Sequence, residues 1–220
     1  MTVRLAVFDC DGTLSDGQAA VCEAMEAAFA SAGLAMPDPY LVRRTVGLSL
    51  PYAVRQIAPD AAEHEHALVV EAYKQAFRRS RSEGTLVEPL YEGVAELLGR
   101  LKAGGWLLGV ATGKSDRGLA LCLDHHGIGR HFVTLQTADR HPSKPHPSMI
   151  QQAMAEAGAA PETTMMIGDT AYDIGMARAA GVTAVGVAWG YHDETELFAE
   201  GAHHVARVPR DIVTIARGLP

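Results

Sequence analysis

The sequence predicts an α/β protein with a parallel sheet, helices on both faces of the sheet, and an all-helical insertion after the first strand. Three observations carry this prediction. A mostly apolar run from Val3 to Phe8 has the length and composition of a buried strand. From about residue 89 onwards, short apolar runs alternate with segments of helical periodicity, which is typical of a parallel sheet wound with helices. Between these regions, residues 16–85 contain consecutive helical segments and no convincing strand.

The helical insertion is predicted from apolar residues that recur at the spacing of a helix. The first helix covers about residues 17–33, and a short helical stretch ends at Val46. A second short stretch follows Pro51, and a longer helix runs from about Ala61 to Arg81. No predicted strand lies among these helices, so we expect them to form a unit separate from the sheet.

The alternating region is predicted to build the rest of the sheet. Its elements in order are helix 92–103, strand 106–111, helix 116–127, strand 132–135, helix 147–158, strand 164–167, helix 171–180, strand 183–187 and a terminal helix. Because strands separated by helices pair in parallel, their carboxyl ends are expected to meet at one edge of the sheet.

Composition narrows the class of protein. The 220 residues are enough for one core that carries a modest inserted domain. The net charge of −7 argues against a general nucleic-acid binder, which would normally show a basic face. The 3 cysteines are widely separated and lack CxxC spacing, so we expect a reducing cytoplasm rather than a disulfide framework. We expect no signal peptide, and no apolar run reaches membrane-spanning length, so no membrane partner is expected either.

Asp9 and Asp11 follow the first predicted strand, two residues apart. Side chains at positions i and i+2 of a strand project on the same side, so both carboxylates reach the carboxyl end of the strand together. In open α/β sheets, this end is where ligands bind. Gly12 allows the chain to turn and to expose backbone N–H groups to an anion. The pair therefore suits a metal-assisted reaction on a phosphate.

Thr112 ends a later predicted strand and precedes Gly113, Lys114 and Ser115. Its hydroxyl could bond a phosphoryl oxygen, and the following helix offers N-terminal amides to the same anion. An ordinary strand-to-helix turn with Ser115 as the N-cap residue also explains this segment.

Lys144 lies between Ser143 and Pro145, with a second proline at Pro147. Proline is common in the first turn of a helix, so the prolines have a structural explanation. The lysine does not require one: it is either simply solvated or placed to hold an anion.

Asp169 follows a third predicted strand, and Asp173 lies one helical turn further on the same face. Such acids can be an N-cap and a first-turn residue stabilised by the helix dipole. With Asp9 and Asp11 on a neighbouring strand, however, three or four acids would converge and repel each other. A bound divalent ion resolves this repulsion, and Mg²⁺ fits because it prefers oxygen ligands and keeps water and substrate phosphate in its shell.

Four motifs follow one another along the chain at suitable spacing: Asp9-x-Asp11-Gly12-Thr13-Leu14, Thr112, Lys144 and Gly168-Asp169-x-x-x-Asp173. In these motifs the chain resembles the haloacid dehalogenase superfamily of hydrolases. The resemblance covers essentially the whole chain, because the helical insertion matches the cap domain of the subfamily whose cap follows the first motif. It implies a Rossmann-like core of residues 1–15 and 86–220, with a helical cap of residues 16–85 that closes over the site.

The resemblance also implies a role for each motif residue. Asp9 would attack phosphorus and form an aspartyl-phosphate, while Asp11 would protonate the leaving alcohol and then activate water. Thr112 and Lys144 would hold the phosphoryl group. The further substrate and phosphate contacts implied are Gly12, Thr13, Gly113 and Lys114. The implied Mg²⁺ ligands are the Asp9 carboxylate, the Asp11 backbone carbonyl and Asp169, with Asp173 nearby as an orienting residue.

Within this superfamily, Asp11 favours phosphoryl transfer, because dehalogenases and phosphonatases lack an acid at that position. Gly47-Leu48-Ser49 matches an element of β-phosphoglucomutases, but Leu50 and Pro51 follow instead of the arginine that binds a second phosphate, and Arg55 comes only later. This departure lowers the mutase alternative.

The residue Lys114 and the stretch 187–191 look like phosphoglycolate phosphatases, although Gly113 replaces the more usual Asn. The expected partner is accordingly a small phosphorylated metabolite, with phosphoglycolate first, and the expected assembly is a monomer or homodimer. A binding module that kept the fold and lost turnover is the second alternative, because fold alone does not establish activity.

Overall fold

The computed structural model describes residues 2–220. It contains a sheet of six parallel strands in the order β3-β2-β1-β4-β5-β6. The strands are β1 (Arg4–Phe8), β2 (Trp106–Thr112), β3 (Phe132–Thr137), β4 (Thr164–Gly168), β5 (Thr183–Val187) and β6 (His204–Ala206). The predicted α/β fold class with a parallel sheet is therefore confirmed.

Four consecutive helices follow β1 along the chain. They are α1 (Gln18–Ser31), α2 (Pro39–Arg44), α3 (Leu50–Ile57) and α4 (Glu63–Ser82), and together they are called the helical insert below. Their apolar faces share a cluster of buried residues that includes Val21, Met25, Phe29, Val54 and Val69. The insert therefore has its own hydrophobic core, as the helical periodicity predicted, while the domain boundaries stay a prediction.

Six further helices flank the sheet: α5 (Val94–Ala103), α6 (Asp116–His125), α7 (Ser148–Ala157), α8 (Ala171–Ala180), α9 (Glu194–Ala199) and α10 (Pro209–Arg217). The region after β5 is more complex than the predicted single terminal helix, because β6 separates α9 from α10. Within residues 2–220, no helix is both long and apolar enough to cross a membrane.

The two faces of the sheet are buried by different helices. Along β1, Ala6 and Phe8 face one buried cluster, and Leu5 and Val7 face the other. This alternation follows from the two-residue period of a strand. A strand covered on both faces needs apolar residues throughout, which explains the apolar run at the start of the sequence.

The sheet order places the functional segments together. β1 lies in the centre, between β2 and β4, and the chain order changes direction at this point. In open α/β sheets, ligands bind at such a switch point, outside the carboxyl ends of the strands. Asp9 follows β1, Thr112 ends β2 and Asp169 follows β4, so three of the predicted motifs meet here.

Candidate active site

Three carboxylates converge at the carboxyl ends of β1 and β4. Asp9, Asp169 and Asp173 each offer an oxygen within 4.8 Å of the other two, and all three side chains are buried. Burial raises the pKa of Asp9 to about 7; Lys144 opposes this shift, and Asp173 adds to it. Burial also raises the pKa of Asp169 well above its ordinary value, and the charges of Asp173 and Asp9 raise it further. Three buried acids of this kind form a site that a cation would stabilise.

One oxygen of Asp9 is left without a partner. Its Oδ1 accepts a hydrogen bond of 2.6 Å from the backbone N–H of Cys10 and lies 2.8 Å from Lys144 Nζ. Its Oδ2 is buried and has no hydrogen-bond partner among residues 2–220. A buried carboxylate oxygen without a donor is costly, so this atom is suited to bind a cation or to attack an electrophile.

Lys144 is buried among the acids. Its Nζ lies 2.8 Å from Asp9 Oδ1 and 2.7 Å from Asp173 Oδ1, and the side chain is 0% exposed. Burial disfavours the charged ammonium, but Asp173 and Asp9 beside it raise the pKa of Lys144 above its ordinary value. The simply solvated lysine considered from the sequence is therefore wrong.

Asp173 has a structural task as well as a place in the cluster. Its Oδ2 accepts hydrogen bonds from the Thr170 hydroxyl at 2.7 Å and from the Thr170 backbone N–H at 3.1 Å. The two residues form the capping box of α8, with Thr170 rather than Asp169 as the N-cap. Because one oxygen caps the helix, the other is held toward Lys144.

Asp169 is oriented by two donors from other segments. The Thr13 hydroxyl donates to its Oδ1 at 2.8 Å, and the backbone N–H of Tyr191 donates to its Oδ2 at 3.0 Å. Thr13, expected to contact phosphate, thus uses its hydroxyl to position an acid. A Cβ atom at Gly12, where φ is +82°, would lie 2.7 Å from Asp169 Oδ1, so only glycine allows this approach.

Asp11 lies beside a second buried lysine. Lys114 Nζ forms ion pairs with Asp11 Oδ1 at 3.0 Å and with Glu88 Oε1 at 2.8 Å. Burial raises the pKa of Asp11; Lys114 opposes this shift, and Glu88 adds to it. Glu88 was not predicted from the sequence, because it belongs to no motif. Its position just after the helical insert is a signal that could have pointed to it.

The segment after β2 contains both a turn and a contact with the helical insert. Ser115 is the N-cap of α6 and accepts a hydrogen bond from the Gly118 N–H at 3.1 Å, as the turn interpretation predicted. Thr112 is buried, and its hydroxyl accepts a hydrogen bond of 3.3 Å from the Lys114 N–H. A Cβ atom at Gly113 would lie 2.6 Å from the carbonyl oxygen of Gly47, so the bare backbone there allows the insert to approach.

The helical insert lies directly over the carboxylates. A Cβ atom at Gly47 would be 3.8 Å from Asp9 Oδ2, which places the loop between α2 and α3 beside the unpartnered oxygen. The Ser49 N–H donates to Ser143 Oγ at 3.0 Å, and Arg44 pairs with Glu196 at 2.6 Å. These contacts join the insert to two loops and a helix that flank the site.

The comparison with known proteins agrees with this geometry. A family model described as haloacid dehalogenase-like hydrolase matches residues 6–187. The probable phosphatase IndB of Dickeya dadantii (strain 3937) is 34% identical over 217 residues, which cover 98% of this chain and 94% of that protein. Phosphoglycolate phosphatase 1 of Pseudomonas aeruginosa is 30% identical, over 97% of this chain and 79% of that protein.

Solved structures show the same fold. The crystal structure of a predicted phosphatase from Clostridium acetobutylicum superposes with a TM-score of 0.87 at 23% identity, over 100% of each chain. The match of the family model and the identity to the Dickeya protein along nearly its whole length agree with the four motifs and with the sheet order. The chain belongs to the haloacid dehalogenase-like hydrolase family.

Proposed function

We propose that this hydrolase is a Mg²⁺-dependent phosphatase that cleaves a small phosphate monoester through an aspartyl-phosphate on Asp9. The observation that carries the proposal is the state of Asp9, which is buried with one oxygen paired to Lys144 and the other without a partner. Asp11 lies two residues away beside a cation of its own, Lys114. A nucleophile and a separate acid and base are the two groups that hydrolysis in two steps requires.

The residues present fit a magnesium ion. The unpartnered Asp9 Oδ2 and the cluster of three buried acids form an all-oxygen donor set that lacks sufficient positive charge. Asp9, Asp169 and the backbone carbonyl of Asp11 would hold the ion, with Asp173 nearby. When bound, Mg²⁺ would neutralise charge on the acids and on the phosphate.

The reaction follows from what the side chains can do. Asp9 attacks phosphorus, the bond from phosphorus to the ester oxygen breaks, and Asp11 gives a proton to the leaving alcohol. Asp11 then takes a proton from water, which attacks phosphorus and frees Asp9 with release of phosphate. Lys144 and Thr112 hold the phosphoryl oxygens, and Lys144 offsets the charge of Asp9 against the incoming anion.

The substrate is a small phosphorylated metabolite, with phosphoglycolate as the first candidate. Two features support this choice: the site lies beneath the helical insert, and Phosphoglycolate phosphatase 1 of Pseudomonas aeruginosa is 30% identical to this chain. Residues 16–85 would act as a cap on a core of residues 1–15 and 86–220. We also propose that the protein is a monomer or a homodimer. A cytoplasmic location is proposed because the 3 free cysteines suit a reducing compartment.

The mutase alternative is disfavoured by the place of Arg55. This side chain pairs with Glu63 at 2.5 Å, and both are largely exposed. Gly47 does approach Asp9, but the next arginine after it along the chain is Arg55. Conversion of β-glucose 1-phosphate to glucose 6-phosphate would revive this alternative.

The test is release of inorganic phosphate from a panel of esters, with Mg²⁺ and with a chelator in its place. We expect release only with Mg²⁺, fastest from phosphoglycolate, and loss of turnover in Asp9→Asn. If the folded wild-type protein releases phosphate from no ester, the protein is instead the binding module that kept the fold and lost turnover.

A further inference from the structure

Lys114 is one of four charged side chains that form a continuous series of ion pairs from the helical insert to Asp11. Arg81, near the end of α4, pairs with Glu88 Oε2 at 3.0 Å. Glu88 Oε1 pairs with Lys114 Nζ at 2.8 Å, and Lys114 Nζ pairs with Asp11 Oδ1 at 3.0 Å. The inner three side chains are 6 to 12% exposed, so solvent screens them little.

The two buried lysines serve different acids. Lys144 pairs with Asp9 and Asp173, whereas Lys114 pairs with Asp11 and Glu88. Among residues 2–220, no ion pair joins Lys114 to Asp9 or to Asp169. Lys114 is therefore paired with Asp11, the acid proposed to protonate the leaving alcohol, and not with Asp9, the proposed nucleophile.

The charges of these four side chains are balanced. Arg81 and Lys114 supply two positive charges, and Glu88 and Asp11 supply two negative ones. Lys114 Nζ already lies within 3.0 Å of two carboxylate oxygens, and these negative charges weaken its attraction for a substrate anion. Space is also limited, because a Cβ atom at Gly17 would lie 3.1 Å from Asp11 Oδ1 and 3.4 Å from Glu88 Oε1.

We propose that Lys114 is a positioning residue that fixes the carboxylate of Asp11, and that Glu88 fixes Lys114 in turn. This inference rests on the proposed role of Asp11 as acid and base. It revises the expectation that Lys114 contacts substrate or phosphate, and it gives Glu88 a function. With Oδ1 held by Lys114, the carboxylate keeps one orientation toward the ester oxygen that it protonates.

The proposal predicts a dependence on the leaving group. An alkoxide must be protonated as it leaves, whereas p-nitrophenolate leaves without a proton. The value of kcat/KM reports the steps up to release of the first product, which is this alcohol. The experiment compares kcat/KM in Mg²⁺ for phosphoglycolate, glycerol 1-phosphate and p-nitrophenyl phosphate.

In Lys114→Met and in Glu88→Gln, kcat/KM is expected to fall roughly 10- to 100-fold for both alkyl esters and less than about 3-fold for the aryl ester. Lys102→Met is the matched control, because Lys102 is an exposed lysine whose ammonium donates to the Arg130 carbonyl at 3.5 Å. It should leave all three values unchanged.

The other outcomes overturn the proposal in distinguishable ways. A loss confined to phosphoglycolate would make Lys114 a ligand for the carboxylate of the leaving group. An equal loss on all three esters would make its role merely structural, and no loss would leave it without a role. If the wild type hydrolyses none of the esters, the proposed function fails and the positioning role falls with it.

A double variant separates positioning from stability. Lys114→Met leaves the buried carboxylate of Asp11 without its cation, which destabilises the fold, whereas Glu88→Gln leaves Lys114 paired with Asp11. In Lys114→Met combined with Glu88→Gln, Asp11 no longer faces the charge of Glu88, so part of the free energy of unfolding that Lys114→Met loses should be recovered. The loss on alkyl esters should persist in this folded protein. Recovery of kcat/KM together with stability would overturn the proposal.

Discussion

Gly113, at the end of β2, is in direct contact with the backbone of Leu48 in the helical insert, because a Cβ atom at position 113 would collide with the Leu48 carbonyl oxygen. The carbonyl oxygen of Gly47 would lie 2.6 Å from the same atom. The absence of a side chain at position 113 is therefore what lets the insert approach the strand ends. Any side chain at this position would require the loop to lie elsewhere.

Gly113→Asn is expected to weaken the contact between the helical insert and the sheet. Overpacking of this kind costs about 1–3 kcal/mol, and the insert is expected to relieve it by moving away from the site. We expect kcat/KM for phosphoglycolate to fall about tenfold or more and the insert to become more sensitive to protease, as measured by limited digestion. Gly99→Asn is the control, because a Cβ atom at Gly99 meets nothing within 4 Å. Equal behaviour of the two variants would contradict this account.

Removal of Lys144 should expose the repulsion among the acids. In Lys144→Met, Asp9 and Asp173 lose the ammonium that lies within 2.8 Å of both. Breaking a buried ion pair costs about 3–5 kcal/mol, so the free energy of unfolding in urea with a chelator should fall by about that amount. Saturating Mg²⁺ should restore part of it, while turnover stays at least about 100-fold below wild type. Unchanged stability in chelator would show that Lys144 does not offset these charges.

Mg²⁺ should stabilise the wild-type protein through Asp169. A ligand at 100 times its Kd adds about 2.7 kcal/mol to the free energy of unfolding, which raises Tm. Asp169→Asn should abolish this rise, because Asp169 belongs to the cluster of three acids. Asp60→Asn, an exposed acid in a turn, should keep the full rise. A Mg²⁺ response that persists in Asp169→Asn would place the ion elsewhere.

The imidazole of His141 should make stability depend on pH. Its Nε2 donates to Gln136 Oε1 at 2.9 Å, and its Nδ1 lies 2.8 Å from Ser148 Oγ, from which it can accept in the neutral ring. Burial lowers the pKa of His141 below its ordinary value, and the charge of Arg140 lowers it further. The unfolded chain therefore binds the proton first as the pH falls below about 6.5, so this contribution is present above that pH and is lost below it.

The measurement for His141 is the free energy of unfolding in urea at about pH 7.5 and about pH 5.5. Wild type should lose more stability between these values than His141→Gln does. The difference between the two proteins removes the contribution of the other titrating groups. Parallel pH profiles would show that His141 titrates equally in the folded and unfolded states.

Much of the site could be predicted because its residues adjoin apolar runs. Asp9 and Asp169 each follow a buried strand, and parallel strands bring such residues to one edge of the sheet. The strand β6 was missed because three residues, His204–Ala206, carry no period that a pattern can register. Glu88 was missed because its partners, Arg81 and Lys114, come from other elements and meet it only in the folded chain.

Two structural alternatives that the sequence left open, at Lys144 and at Asp173, are answered by three-dimensional contacts. A lysine before two prolines looks the same whether it is solvated or buried, and only the nearby acids distinguish the two cases for Lys144. Asp173 proved to be both a helix-capping acid and a member of the cluster, because its two oxygens face different partners. A pattern of residue types treats these as competing explanations, although one carboxylate can satisfy both.

We expect the position of the helical insert over the acids to affect the rate of the proposed reaction as well. Asp9, Asp169 and Asp173 are 0% exposed, so we expect an ester to reach them only after the insert moves away, which would break the hydrogen bond from Ser49 to Ser143. Opening motions of this kind take microseconds to milliseconds and often limit turnover. We expect the site beneath the insert to hold little solvent, because the three acids are 0% exposed. The water molecule that completes hydrolysis must then occupy the space that the departing alcohol leaves, so exit of the first product and entry of the second reactant become a single exchange.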